Sequence, residues 1–132
     1  MPRFGTTYHG FVFLSSPIST GTAFLAEAVG TGVLAFVIFA LTNSKNDITN
    51  DKSNGGGIVV PPLIGMTVGA LIAVLAPLTQ AGFNPARDFG PRIVAYLAGW
   101  KTVAFQGWWV YVFGPIVGAI FGATIADKVL YK

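Results

Sequence analysis

Ala81-Gly82-Phe83-Asn84-Pro85-Ala86-Arg87-Asp88-Phe89-Gly90-Pro91-Arg92 is the stretch on which the fold turns. Asn-Pro is a helix-start signal. Asn suits the N-cap, and proline is tolerated at the first helical position, where its missing N–H had no partner anyway. The apolar segment Ile93 to Ala98 continues the helix, and Gly99 ends it. A helix over 84–98 measures roughly 20 Å at 1.5 Å per residue, short of the ~30 Å hydrocarbon core of a bilayer. Apolar runs long enough to cross that core flank it on both sides. The spacing therefore predicts a half-helix that enters a membrane without crossing it.

Composition agrees with a membrane setting. Hydrophobic residues make up 53% of the 132 and charged ones 10%, against roughly 25% charged in a soluble domain. The mean hydropathy is +0.67. The chain reads as one domain. The net charge is +3, but the eight Lys and Arg are scattered without a basic run, which argues against a nucleic-acid partner. With no cysteine there is no disulfide, thiol nucleophile or cysteine metal site. A single His9 rules out a histidine metal cluster within this chain. No cofactor is expected. There is no Ser-His-Asp set and no pair of carboxylates in one segment, so an enzyme is not expected either. The run Phe11–Leu14 is too short for the apolar core of a targeting signal.

In chain order, residues 1–22 read as a loop, with a short interfacial turn at Phe11–Leu14 and Tyr8 at headgroup level. Residues 23–41 form a first span, whose one ionisable residue is Glu27. A carboxylate there either faces the protein interior and finds a partner or lies hydrated at the interface; the interior is preferred. Ala26, Ala28, Gly30 and Gly32 give small residues at four-residue spacing. Residues 42–57 are a polar linker. Its three glycines lack the Lys-Ser/Thr of a phosphate loop. Residues 58–76 form a second span, with Pro61 and Pro62 expected in its first turn, a Gly65–Gly69 pair, and Pro77 ending it. Residues 77–83 form a re-entrant loop, 84–98 the half-helix and 99–107 a connector. Residues 108–127 are the third span, with Trp100, Trp108 and Trp109 as an aromatic belt at one end and Gly114, Gly118 and Gly122 on one face. The tail is 128–132. Three crossings place the linker and the C-terminus on one side. Lys and Arg divide evenly between the sides, so the positive-inside rule decides only if Arg87 is buried in the site, and then weakly for a cytoplasmic linker.

A half-helix in a membrane exposes N–H groups and partial positive charge at mid-depth, where such backbone survives only in protein or beside water. The Asn84 side-chain amide, the carbonyls of Ala81, Gly82 and Phe83, and the Arg87 cation together form a polar stripe for a neutral permeant that repels cations. The plainer alternative is an Asn84-Pro85 cap on an ordinary amphipathic helix. The flanking spans, the short length and Arg87 weigh against it.

The segment Asn84 to Arg92 resembles the second Asn-Pro-Ala box of the aquaporin family, in particular its glycerol-facilitator branch. Ala26-Glu27 with Gly30-Thr31 looks like the start of the family's fourth helix. Ile64-Gly65-Met66 looks like the fifth, Phe113 to Ala119 like the sixth, and Phe4 to Tyr8 like the loop before the fourth. The resemblance implies an all-α integral membrane fold: half of an inverted repeat, with three transmembrane helices and one re-entrant half-helix. By position it implies Asn84, Pro85 and Ala86 at the pore junction. It also implies Arg87, Ile72 and Ala81 in the selectivity filter, and Glu27 bracing the loop. Asp88 supports the site and, with Arg92, marks the glycerol branch, while Arg92 itself is expected to be a surface or helix-end charge. Water-selective members carry His where Ile72 stands, and glycerol facilitators tend to have Gly and Phe at the Ile72 and Ala81 positions. Tyr111 looks like the water branch, and Val112 fits neither. An Ile72-Ala81-Arg87 filter would be fairly wide and partly apolar.

The family pore needs two half-helices meeting end to end, and this chain carries one. Two functions follow as expectations. In the first, the chain is the C-terminal half of a channel for water or small neutral solutes such as glycerol, completed by a complementary half. In the second, it is a non-transporting structural subunit of a larger membrane complex. Its partners are the lipid bilayer and that half-channel or complex, and the resemblance implies an oligomer.

Overall fold

The computed structural model describes residues 18–43, 45, 46 and 56–131. The readings made for Phe4–Tyr8, Phe11–Leu14 and most of the polar linker lie outside the described residues. Four α-helices follow one another: α1 (Thr20–Thr42), α2 (Gly56–Thr79), α3 (Pro85–Ala95) and α4 (Trp108–Leu130). A π-helical turn, Tyr96–Trp100, and a 3-10 turn, Lys101–Phe105, join α3 to α4. α1, α4 and the Ile58–Thr79 part of α2 are long and apolar enough to cross a membrane.

Several hydroxyls of the spans are satisfied within their own helix or its cap. Ser19 caps α1, its hydroxyl accepting the Thr22 N–H at 3.1 Å. The hydroxyls of Thr31, Thr42, Thr67 and Thr124 each donate to the carbonyl four residues back. A hydroxyl bonded within its own helix can face lipid or a neighbouring helix at little cost.

The core is the seam between α1 and α4, where glycine does the packing. A Cβ on Gly118 would lie 2.8 Å from the Ala28 carbonyl carbon, and one on Gly122 would lie 2.8 Å from that of Gly32. A Cβ on Gly114 would come within 3.1 Å of the Glu27 Cβ and 3.3 Å of the Phe24 carbonyl oxygen. These partners advance in step along both helices, so α1 and α4 run parallel with backbones touching. Small residues permit this approach, and dispersion and Cα–H···O contacts hold it where lipid supplies no hydrophobic drive. At the far end Lys45 Nζ donates to the Tyr131 carbonyl at 2.9 Å, and the Tyr131 hydroxyl donates to the Ala40 carbonyl. The start of the linker and the end of α4 therefore lie together.

α2 differs from its expected form. It starts at Gly56, so Pro61 and Pro62 lie beyond the first turn, and it continues through Pro77 to Thr79. Each proline removes one backbone bond, which a membrane helix tolerates by local adjustment. None of the residues in its apolar window is buried. It meets α1 near Gly30, where a Cβ would lie 2.7 Å from Leu75 Cδ1. Gly65 and Gly69 have nothing within 4 Å of an added Cβ, so that pair packs against nothing among the described residues.

Candidate functional site

The re-entrant segment is built on unusual backbone. Gln80, Ala81 and Phe83 have φ of 66°, 51° and 52°. Left-handed geometry costs a non-glycine residue roughly 1–2 kcal/mol, so the loop needs anchors. The main one is Glu27, fully buried in α1. One carboxylate oxygen accepts the Gly82 N–H at 3.0 Å and the other accepts the Phe83 N–H at 2.8 Å. The Ala81 N–H goes to Thr79 Oγ1 at 3.3 Å and the Gln80 N–H to the Ala76 carbonyl at 2.9 Å. Every N–H of the loop from 80 to 83 is thereby paired.

Gly82 is glycine for space rather than for conformation. Its φ is not positive, but a Cβ there would lie 2.9 Å from Tyr111 Cδ1 and 3.3 Å from Glu27 Oε2. Gly30 makes room for the buried Phe83 ring, whose Cζ would lie 2.9 Å from an added Cβ.

The carbonyls divide differently. The Tyr111 hydroxyl donates to the Thr79 carbonyl at 3.1 Å, and Arg87 Nη1 donates to the Ala81 carbonyl at 3.2 Å. The carbonyls of Gln80, Gly82 and Phe83 accept nothing among the described residues. Asn84 follows as the N-cap of α3, its Oδ1 accepting the N–H groups of Ala86 at 2.9 Å and Arg87 at 3.3 Å. That leaves the Asn84 Nδ2 hydrogens as donors. Asn84, Ala86 and Arg87 are exposed, while Pro85 and Ile72 are partly so. Ala81 is fully buried, so what it offers Arg87 is its carbonyl and not its methyl.

Arg92 stands in the last turn of α3, the helix-end placement, but it is not at the surface: it is 3% exposed. Its guanidinium grips Asp88 through two bonds, Nε to Oδ2 at 2.5 Å and Nη2 to Oδ1 at 3.0 Å. Nη1 donates to the carbonyls of Ala104 and Gln106, both at 2.9 Å. One side chain thus ties the half-helix to the connector, because the 101–107 turn folds back over α3 and its carbonyls need donors. Asp88 and Arg92 are four apart on one helix, the spacing at which opposite charges meet. That spacing was the available signal; the carbonyl partners had none. Arg87 makes no pair with Asp88, which Arg92 occupies. Around them Phe89 meets Phe105 and Trp108 with ring centroids 5.6 and 5.9 Å apart.

Three crossing helices and a capped half-helix on a braced re-entrant loop define an integral membrane protein with a hydrogen-bonding edge between its spans. Sequence comparison places it further. The family profile described as Major intrinsic protein matches residues 4–126. The glycerol uptake facilitator protein of Pseudomonas aeruginosa is 42% identical over 112 residues, covering 80% of this chain and 38% of the relative. That of Escherichia coli K12 is 43% identical over 114 residues, covering 82% and 38%. A propanediol uptake facilitator of Citrobacter freundii is 38% identical over 124 residues, covering 89% and 44%. The chain belongs to the major intrinsic protein family and is similar to its glycerol-facilitator branch. It spans under half the length of these relatives.

Proposed function

We propose that this chain forms one wall of a membrane channel for small neutral hydrogen-bonding solutes, glycerol and water among them, opposite a complementary half. The observation that carries the reading is the split of hydrogen bonds along the re-entrant segment. Its N–H groups are consumed inside the protein, by Glu27 above all. Among the described residues, three carbonyls, the Asn84 Nδ2 group and most of the Arg87 guanidinium are left for something else. A file of acceptors ending in two donors suits a molecule that both gives and takes hydrogen bonds. The positive end of α3 and Arg87 oppose cations and protons along the same path. Ile72 adds an apolar side to the filter, matching a solute with C–H as well as O–H surfaces. Similarity to glycerol and propanediol uptake facilitators supports that solute class.

The test is flux. The chain is co-reconstituted in vesicles with the portion of the Escherichia coli glycerol uptake facilitator that it does not match. Glycerol and water permeability are read by stopped-flow light scattering and proton leak by an entrapped dye. Expected are glycerol flux well above that of empty vesicles and, for Arg87→Ala, an increased proton leak. Permeability no higher than bare lipid would sink the channel reading. Stoichiometric co-purification with a larger complex, without flux, would replace it with a structural role.

A further inference from the structure

Resting on the channel reading, the geometry points to Tyr111 as the residue that positions the filter from the α4 side, through a hydrogen bond to the carbonyl that opens the re-entrant loop. Tyr111 is 3% exposed and does three things at once. Its hydroxyl holds the Thr79 carbonyl, the last of α2, at 3.1 Å. Its ring edge stands against Gly82, whose missing Cβ leaves it room. The Arg92 guanidinium sits 5.5 Å from the ring centroid, in cation–π range.

These contacts lie on both sides of one filter bond. Thr79 is two residues before Ala81, whose carbonyl receives Arg87. Arg92 holds Asp88, the residue after Arg87. Tyr111 therefore ties the acceptor's segment to the donor's segment. The loop between is strained at three residues, so it relaxes toward ordinary backbone wherever an anchor is removed. Glu27 anchors its N–H groups from α1; Tyr111 anchors the opening carbonyl from α4. Without the hydroxyl, a carbonyl on a residue only 1% exposed loses its partner. Turning the adjacent peptides to find another donor moves the Ala81 carbonyl away from Arg87.

Tyr111→Phe removes the hydroxyl and keeps the ring; Tyr111→Leu removes both. Each is made in the full chain and reconstituted with the complementary half, and permeabilities are normalised to folded protein. Tyr111→Phe is expected to change the glycerol-to-water permeability ratio by about threefold or more, and Tyr111→Leu by more than that. In an Arg87→Ala background the Tyr111→Phe shift is expected to vanish, because the bond it acts through is gone. A residue that merely supports folding would lower both permeabilities together and leave their ratio alone. An unchanged ratio in Tyr111→Phe, or shifts that add with Arg87→Ala, would overturn the positioning role while the channel reading stands. A wild-type assembly that conducts nothing overturns both.

Discussion

Glu27 is a carboxylate in the first half of a membrane span, and its position is tolerable because both oxygens are used. A buried acceptor bonded to two backbone N–H groups escapes most of the penalty that an unpaired one would incur. Gln at this site keeps one acceptor but turns an NH2 group toward a backbone N–H. Glu27→Gln is therefore expected to lower stability by about 2–3 kcal/mol, read as a lower midpoint of thermal unfolding in detergent. Glycerol flux should fall with it, since the freed loop no longer presents its carbonyls in line. Arg92 teaches a related lesson. Its long side chain is buried with its charge because Asp88 and two carbonyls accept four bonds from the guanidinium. The sequence offered the Asp88–Arg92 spacing, but the carbonyls of Ala104 and Gln106 reach it only after the chain has turned through the connector.

At the scale of elements, the parallel pair α1–α4 is the platform on which the loop is hung. Glu27 on α1 and Tyr111 on α4 approach the loop from that platform, and the Gly114–Gly118–Gly122 face sets how close they come. The four-residue glycine spacing was legible in the sequence, and so was the small face of Ala28 and Gly32; their pairing was not. Gly118→Val would drive a side chain into the Ala28 carbonyl. Overpacking of this kind costs about 1–3 kcal/mol when neighbours can yield, and backbone yields least. The expected result is a loss near the top of that range in detergent thermal unfolding, together with lost flux. The half-helix α3 shows the reverse balance: local signals placed its start. Asn84 caps it through Oδ1 and Pro85 opens it. Its end was less legible, because α3 passes at Tyr96 into a π-helical turn that contains Gly99 (φ 102°), with Lys101 (φ 49°) just after it.

At the scale of the molecule, α2 stands apart. α1 and α4 bury their small-residue faces in each other, whereas the apolar window of α2 has no buried residue. Its Gly65–Gly69 pair is open. Within the proposed channel, that surface faces the complementary half. Local stability follows packing, so α2 is expected to be the least protected span when the chain is alone. Hydrogen exchange in detergent should show its amides exchanging about tenfold faster than those of α1 and α4, with the difference closing when the complementary half is added. Equal protection of all three spans in the isolated chain would contradict this account of α2.

Taken alone, the sequence determined which segments are long and apolar enough to cross a membrane, because span length and apolarity answer to the thickness of the bilayer and not to neighbours. It also determined where the half-helix begins, because an Asn-Pro cap is a local device. Only the tertiary structure decided what the polar residues do. Arg92, expected as a surface or helix-end charge, ends α3 as a buried tie, and the Ala81 methyl proved buried while its carbonyl met Arg87. Tyr111 met Thr79 across a separation of 32 residues. Hydrogen-bond partners far apart in the chain leave no periodicity in it. They are selected by the close approach of α1 and α4, which sets where each donor and acceptor stands.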